Sequence, residues 1–158
     1  MNGILKIDQT DRKIIEILQS NGKITNAKLS EKIGLSPAPT LERVKKLEQN
    51  GLIESYHAQV DMDKIGVGVK TFVKVSLKGI NKTNIETFLD KIKEIDEVIE
   101  CHHTTGSGDF MLKVVAKDIN AYQKVMLDKV SEIEVVDSLQ SMVILSTLKN
   151  SKVIPFPH

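Results

Sequence analysis

Residues 102 to 110, HHTTGSGDF, gather two adjacent histidines, two threonine hydroxyls, a Gly-Ser-Gly and a carboxylate, with the single cysteine, Cys101, just upstream. A metal ion, a phosphate or a nucleophilic reaction could each use such a set. A metal fits poorly. Adjacent residues on a strand point to opposite faces, so His102 and His103 cannot share one ion. Cys101 and His103 share a face, but two ligands do not close a tetrahedral site, and His57 and His158 are remote in sequence. A phosphate cradle needs its glycines to open a helix, where free N–H groups and the dipole meet the anion; here the glycines join two strand-like runs. Catalysis would need a nucleophile with a positioned base. Ser107 with His103 or Asp109 is conceivable, yet hydroxyls and carboxylates are ordinary turn residues. On composition alone the plain hairpin is favoured, with glycines at positive φ and Asp109 capping the loop. No metal, cofactor or catalytic residue is expected.

The elements that position this stretch lie in a chain of 158 residues, 41% hydrophobic and 27% charged, long enough for one domain or two small ones. No apolar run approaches the ~18 residues of a membrane span. MNGILKIDQTDRK lacks a secretory signal's apolar stretch, and one cysteine excludes an internal disulfide framework, so a cytoplasmic protein is expected. Net charge is +1, and residues 1–60 hold 9 basic against 7 acidic residues. Any nucleic-acid contact must therefore come from local geometry.

Residues 1–60 read as three short helices. Asp8 and Asp11 open the first, Ile14, Ile15 and Leu18 give it an apolar stripe, and Asn21-Gly22 stops it. Thr25 caps the second, Ala27, Leu29 and Ile33 form its apolar side, and Gly34 closes it. The turn at Gly34-Leu35 leads straight into a third helix, with Ser36 as cap and Pro37 at its first position, where a missing N–H costs nothing. So tight a turn suggests a helix-turn-helix. At ~100° per residue, Leu41, Val44 and Leu47 form one arc with Thr40 inside it. Ala38, Glu42, Lys45, Lys46 and Gln49 form the opposite face, flanked by Pro39 and Arg43. A face of small, polar and basic residues fits a major groove about 12 Å wide. Lys45, Lys46 and Arg43 would reach phosphates or guanine edges, while Ala38 and Pro39 would allow close approach. Glu42 would accept from a cytosine amino group but repel phosphates. A basic outer face is also what any solvated helix carries, so context matters: LIESYHAQVD then alternates as a short strand pair or wing.

Residues 61–67 read as a hinge. From Gly68, VKTFVKVSLKG alternates strictly, with Val69, Thr71, Val73, Val75 and Leu77 on one face and Lys70, Phe72, Lys74 and Ser76 on the other. Ile85, Phe88, Leu89, Ile92 and Ile95 have helical spacing behind a cap at Asn81 or Thr83. VIECHHT and DFMLKVVA are strands, Tyr122, Val125, Met126, Lys129 and Val130 mark a second helix, and LQSMVILSTLK is a last strand. The resulting fold class is α+β, a winged helix-turn-helix followed over residues 68–149 by a ferredoxin-like β-α-β-β-α-β domain; residues 150–158 look like a tail. The sheet's helix-free face, with Phe72, Cys101 or His102, Met111 and Val143 as candidates, would leave an apolar patch in water unless a second subunit covers it.

From IDQTDRK to SYHAQVD the first half resembles the DNA-binding half of the Lrp/AsnC (leucine-responsive/asparagine-regulator) transcription factors, most specifically in GLSP…RVKKLEQNGLI, Gly34 to Ile53. Glu42 departs from the basic residue that many relatives carry. The second half resembles the family's regulatory domain, so the resemblance runs from about residue 8 to 149. It implies double-stranded DNA as partner for the face from Ser36 to Gln49. It also implies a homodimer formed through the sheet, often assembling to an octamer. The family's T-G-x-x-D-[YF] signature falls on Thr105, Gly106, Asp109 and Phe110, a loop that in the family lies between dimers and helps bind a small effector, usually an amino acid. His103, Thr104, Thr105, Gly106, Ser107, Gly108 and Asp109 would then meet the zwitterion, with Gln140, Ser141 and Met142 as the complement across an interface. Gln140 and Ser141 would suit a polar side chain, Met142 and Val143 an aliphatic one. Two other readings remain at this stage: an amino-acid-sensing module that does not itself regulate DNA, and an enzyme with His103 and Asp109 as acid–base partners.

Overall fold

Asp8 and Asp11 are three residues apart, the spacing at which two carboxylates can each cap the other's backbone. In the computed structural model, which describes residues 7–157, they do so. Asp8 accepts from the Asp11 N–H at 2.8 Å, Asp11 accepts from the Asp8 N–H at 3.3 Å, and helix α1 (Gln9–Ser20) follows. Helix α2 (Asn26–Ile33) starts at Thr25, whose hydroxyl accepts from the Lys28 N–H, and stops at Gly34. Helix α3 (Pro37–Gln49) begins two residues later, and Asn26 Nδ2 donates to the Pro37 carbonyl at 2.8 Å, tying the starts of α2 and α3 together. Ile14, Leu29 and Leu47, one from each helix, form the buried core of this unit, with Ile7, Ile24, Val44 and Ile53 packed around them.

Residues up to 59, together with 148 onward, make up this first unit; residues 60–147 make up a second. Residues 1–6 and His158 lie outside the described residues. The second unit shows the expected β-α-β-β-α-β order: β1 (Val69–Leu77), α4 (Lys82–Lys93), β2 (Val98–His103), β3 (Phe110–Ala116), α5 (Ile119–Val125) and β4 (Val136–Val143). The strands form one antiparallel sheet in the order β2-β3-β1-β4. Val73, Val75, Leu112 and Val114 are fully buried under α4 and α5, whose Phe88, Ile92, Tyr122 and Val125 complete the core. Asn81 caps α4 through the Asn84 N–H, and Asp118 caps α5 through the Ala121 N–H. Past Val125, α5 continues as a single π turn, Met126–Val130. Tyr122, Met126 and Val130 are spaced by four, which drifts about 40° per step on an α-helix. The slower π winding cancels that drift and keeps all three buried. Among the described residues no helix is long and apolar enough to cross a membrane.

Several expectations change. LIESYHAQVD forms no strand ladder among the described residues. It is fixed to α3 instead: the N–H groups of Leu52 and Ile53 donate to the Leu47 carbonyl, and Tyr56 Oη donates to Glu48 at 2.9 Å. Residues 61–67 form a hydrogen-bonded turn within the second unit, with Lys70 paired to Asp63 at 3.0 Å. The expected tail packs on α1: the Gln19 amide exchanges two hydrogen bonds with the backbone of Ile154, and Arg12 lies 5.2 Å over the Phe156 ring. The last strand starts three residues earlier than the apolar run and ends at Val143. Among the described residues it pairs only with β1, which begins at Val69, so the ladder runs out after the bond from the Ile144 N–H to the Lys70 carbonyl.

Candidate functional site

Helix α3 turns Ala38, Pro39, Glu42, Lys45, Lys46 and Gln49 to solvent, preceded by exposed Ser36 and Pro37. Glu42 lies 3.7 Å from Lys45, so its charge is partly matched on its own helix. Two expected roles, those of Thr40 and Leu41, are corrected. Thr40 is completely buried, its hydroxyl donating to the Ser36 carbonyl at 2.9 Å, and cannot touch a groove. Ser36 holds the cap position through that carbonyl, without a side-chain cap bond. Leu41, assigned by helical angle to the core arc, is 43% exposed.

Arg43 is the largest departure. Its guanidinium donates to Asp8 at 2.7 Å and Asp11 at 2.8 Å, the two carboxylates that cap α1. The Asp11 N–H and then Arg43 hold the Asp8 carboxyl below its usual range, and the carboxylates push Arg43 up. Arg43 therefore ties α3 to the start of α1 and sets how the exposed face is presented. The sequence offered no sign of this, since the partners lie more than thirty residues upstream.

The 104–109 loop joins β2 to β3 as a closed hairpin. The Thr104 N–H donates to the Asp109 carbonyl at 2.9 Å and the Thr104 hydroxyl to the Gly108 carbonyl at 3.2 Å. Gly106 sits at φ 113°, a conformation in which a β-carbon is strained. Gly108 is buried against β1, where an added β-carbon would lie 2.3 Å from Lys74 Cγ. Thr105 and Ser107 are exposed. Among the described residues the N–H groups of Thr105, Gly106 and Ser107 have no hydrogen-bond partner. Asp109 is engaged twice with β1: its N–H donates to the Val75 carbonyl, and its carboxylate accepts from the Leu77 N–H at 2.7 Å. The β1–β3 ladder ends at Val75, and β1 shifts register against β4 at Ser76/Leu77, so that oxygen fills a gap in the pairing. One oxygen of Asp109 is thus structural; among the described residues the other accepts no hydrogen bond.

Strand alternation divides the remaining expected residues. His103 lies opposite buried Phe110, with their rings stacked at 4.9 Å, on the helix side; His102, opposite Met111, faces away. Gln140 and Met142 lie opposite Lys74 and Phe72 on the helix-free face, whereas Ser141 lies opposite Val73 and hydrogen-bonds Tyr122 Oη. Ser141 therefore cannot line one surface with its neighbours. The helix-free face holds Phe72, His102, Met111 and Met142. Cys101 pairs with buried Leu112 and Val143 with buried Thr71, so both belong to the other side. Burial pushes the Cys101 thiol up, away from reactivity. The sequence reading left out Lys74, whose Nζ donates to Ser107 Oγ at 3.2 Å. Its place in the outward set of β1 was legible, but not the loop it meets.

Comparison with known proteins agrees with this architecture. Residues 7–54 match the family model for a winged helix-turn-helix DNA-binding domain, and residues 70–154 match that for the Lrp/AsnC ligand binding domain. The chain is 35% identical over 151 residues to the transcriptional regulator AzlB of Bacillus subtilis, covering 96% of each protein. It is 32% identical to the leucine-responsive regulatory protein of Escherichia coli, over 92% of this chain and 88% of the relative. Among solved structures, a transcriptional regulator of Neisseria meningitidis in complex with L-Met superposes with a TM-score of 0.91 at 34% identity, covering 95% of this chain and 97% of that one. AsnC of E. coli gives 0.84 at 30% identity, with 94% and 99% covered. These proteins are regulators, not enzymes, which removes the acid–base reading of His103 and Asp109. With both halves matched, the chain belongs to the Lrp/AsnC family of DNA-binding transcriptional regulators.

Proposed function

We propose that this regulator reads double-stranded DNA with the solvent face of α3 and that a free amino acid, bound at the 104–109 loop, sets its assembly and its affinity for an operator. The observation that carries the effector half is the relative with L-Met, alike over 95% of this chain. The loop's own chemistry supports it: three unpaired N–H groups suit a carboxylate, and the free oxygen of Asp109 suits an ammonium. Lys45 and Lys46 would contact phosphates, with Ala38, Pro39, Glu42 and Gln49 towards the base edges. Ser36 and Pro37 would lie against the backbone at the helix start. Packing a second copy on Phe72, Met111 and Met142 would bury the apolar part of the sheet face and present two α3 helices to one roughly palindromic site in cytoplasmic DNA. The loops of such dimers would meet in a larger assembly, up to an octamer. Effector control then requires that the amino acid prefer one assembly state.

Two measurements test the halves separately. Lys46→Ala should weaken DNA binding and flatten the dependence of log affinity on log salt by about 0.9; an unchanged slope and affinity would place the reading face elsewhere. A thermal-shift panel of the twenty amino acids, with light scattering on any hit, should show stabilisation by one or two of them and a change in particle size. A flat panel in protein that still binds DNA would reduce the loop to a hairpin turn.

A further inference from the structure

The helix-free face of the sheet carries three lysines on β1 and β3, and they are not in equivalent states. Lys70 is paired with Asp63 at 3.0 Å and Lys113 with Glu100 at 2.8 Å. Lys74, four residues beyond Lys70 on β1 and past the level of Lys113, has no carboxylate within ion-pair distance among the described residues and donates only to the neutral hydroxyl of Ser107. Its stem runs against Gly108, at the one loop position where a β-carbon would collide with it. Across the ladders it lies opposite Met111 on one side and Gln140 on the other. Lys74 thus stands between the 104–109 loop and the outward residues of β4, the two stretches expected to meet an amino acid.

From this juxtaposition we propose that Lys74 is the cationic binding residue for the effector's α-carboxylate, acting with the free N–H groups of Thr105, Gly106 and Ser107. The inference rests on the amino-acid reading above and sharpens it. Backbone N–H groups alone select weakly for a carboxylate over a neutral acceptor, whereas an ammonium on a half-buried stem adds a charge-assisted bond. The same chemistry sets specificity: an amino acid whose carboxylate is blocked loses the bond, whatever its side chain. Gly108 is part of the device, since a side chain there would displace the Lys74 stem from the loop.

The test uses the full-length protein and isothermal titration, with L-Met and the other nineteen amino acids as probes and the amide of whichever binds as the carboxylate-free control. Circular dichroism and light scattering accompany each variant. Lys74→Met should weaken the responding amino acid about tenfold or more, and Lys74→Arg should recover much of that loss. The amide should bind wild type weakly and be indifferent to Lys74→Met. A folded Lys74→Met variant with wild-type affinity for the acid would overturn the assignment alone. So would a variant that changes particle size at unchanged effector affinity, because Lys74 would then be meeting a carboxylate of a second copy. If Lys74→Met does not fold, the amide carries the test: an amide bound by wild type as tightly as its acid overturns the proposal. If wild type binds none of the twenty, the amino-acid reading fails and takes this inference with it.

Discussion

Asp109 holds β1 with one carboxylate oxygen, and in the proposed function the other would meet the effector. Its hydrogen bond to the Leu77 N–H completes the sheet where the β1–β3 ladder stops, so a change there acts on the fold before it acts on any ligand. Asp109→Ala should cost about 1–3 kcal/mol in denaturant unfolding, the penalty for a buried N–H left without its charged acceptor, while Asp109→Asn should recover part of it. Equal stability of all three proteins would show that Leu77 finds another partner. Arg43 poses a related question on α3. Arg43→Ala should weaken DNA binding with the salt slope unchanged, since the guanidinium is engaged by Asp8 and Asp11 and neutralises no phosphate. A slope lowered by about 0.9 would return Arg43 to the interface. Because the Asp8 carboxyl is held down in the fold, its contribution is complete above the ordinary carboxyl value of 3.8 and fades as the pH falls through its lower folded value. At this scale the sequence displayed the participants but not their partnerships. Thr105, Gly106 and Asp109 stand out in a quoted string, whereas Leu77 and Lys74 gain meaning only from the register that sets β1 beside the loop.

Elements were legible where period and caps agreed. Asp8, Thr25 and Asn81 each precede a helix and each accepts a first-turn N–H. The strict alternation of β1 separated its buried face correctly from its free one. What failed was decided between segments: β4 stops near where its antiparallel partner β1 begins, and LIESYHAQVD has the pattern of a strand but pairs with none among the described residues. Tyr56 holds that second stretch to α3, and burial with the nearby Glu48 carboxylate pushes its phenol up to about 12. The fold thus favours the neutral phenol: its contribution is complete below pH 10 and is lost as pH rises through about 12. Alkaline titration followed by phenolate absorbance should show one tyrosine ionising late, and Tyr56→Phe should abolish that late step. A late step that persists in the variant would overturn the assignment to Tyr56.

On the scale of the whole molecule, the division into a helical unit and a sheet unit was visible as a change of period near residue 68, from 3.6-type spacing to alternation. The return of residues 148–157 to the helical unit was not, because NSKVIPFPH has no periodicity and its anchors, Gln19 and Arg12, lie in α1. Removing residues 152–157 should speed amide hydrogen exchange in α1 while leaving β1 and β3 protected; unchanged exchange in α1 would mean that these contacts add nothing. The same return has a consequence during synthesis. The three helices emerge from the ribosome first, but the strip that braces α1 is translated only after the entire sheet. The nascent DNA-reading unit therefore waits, short of its full complement of contacts, until the domain that would govern it has been made.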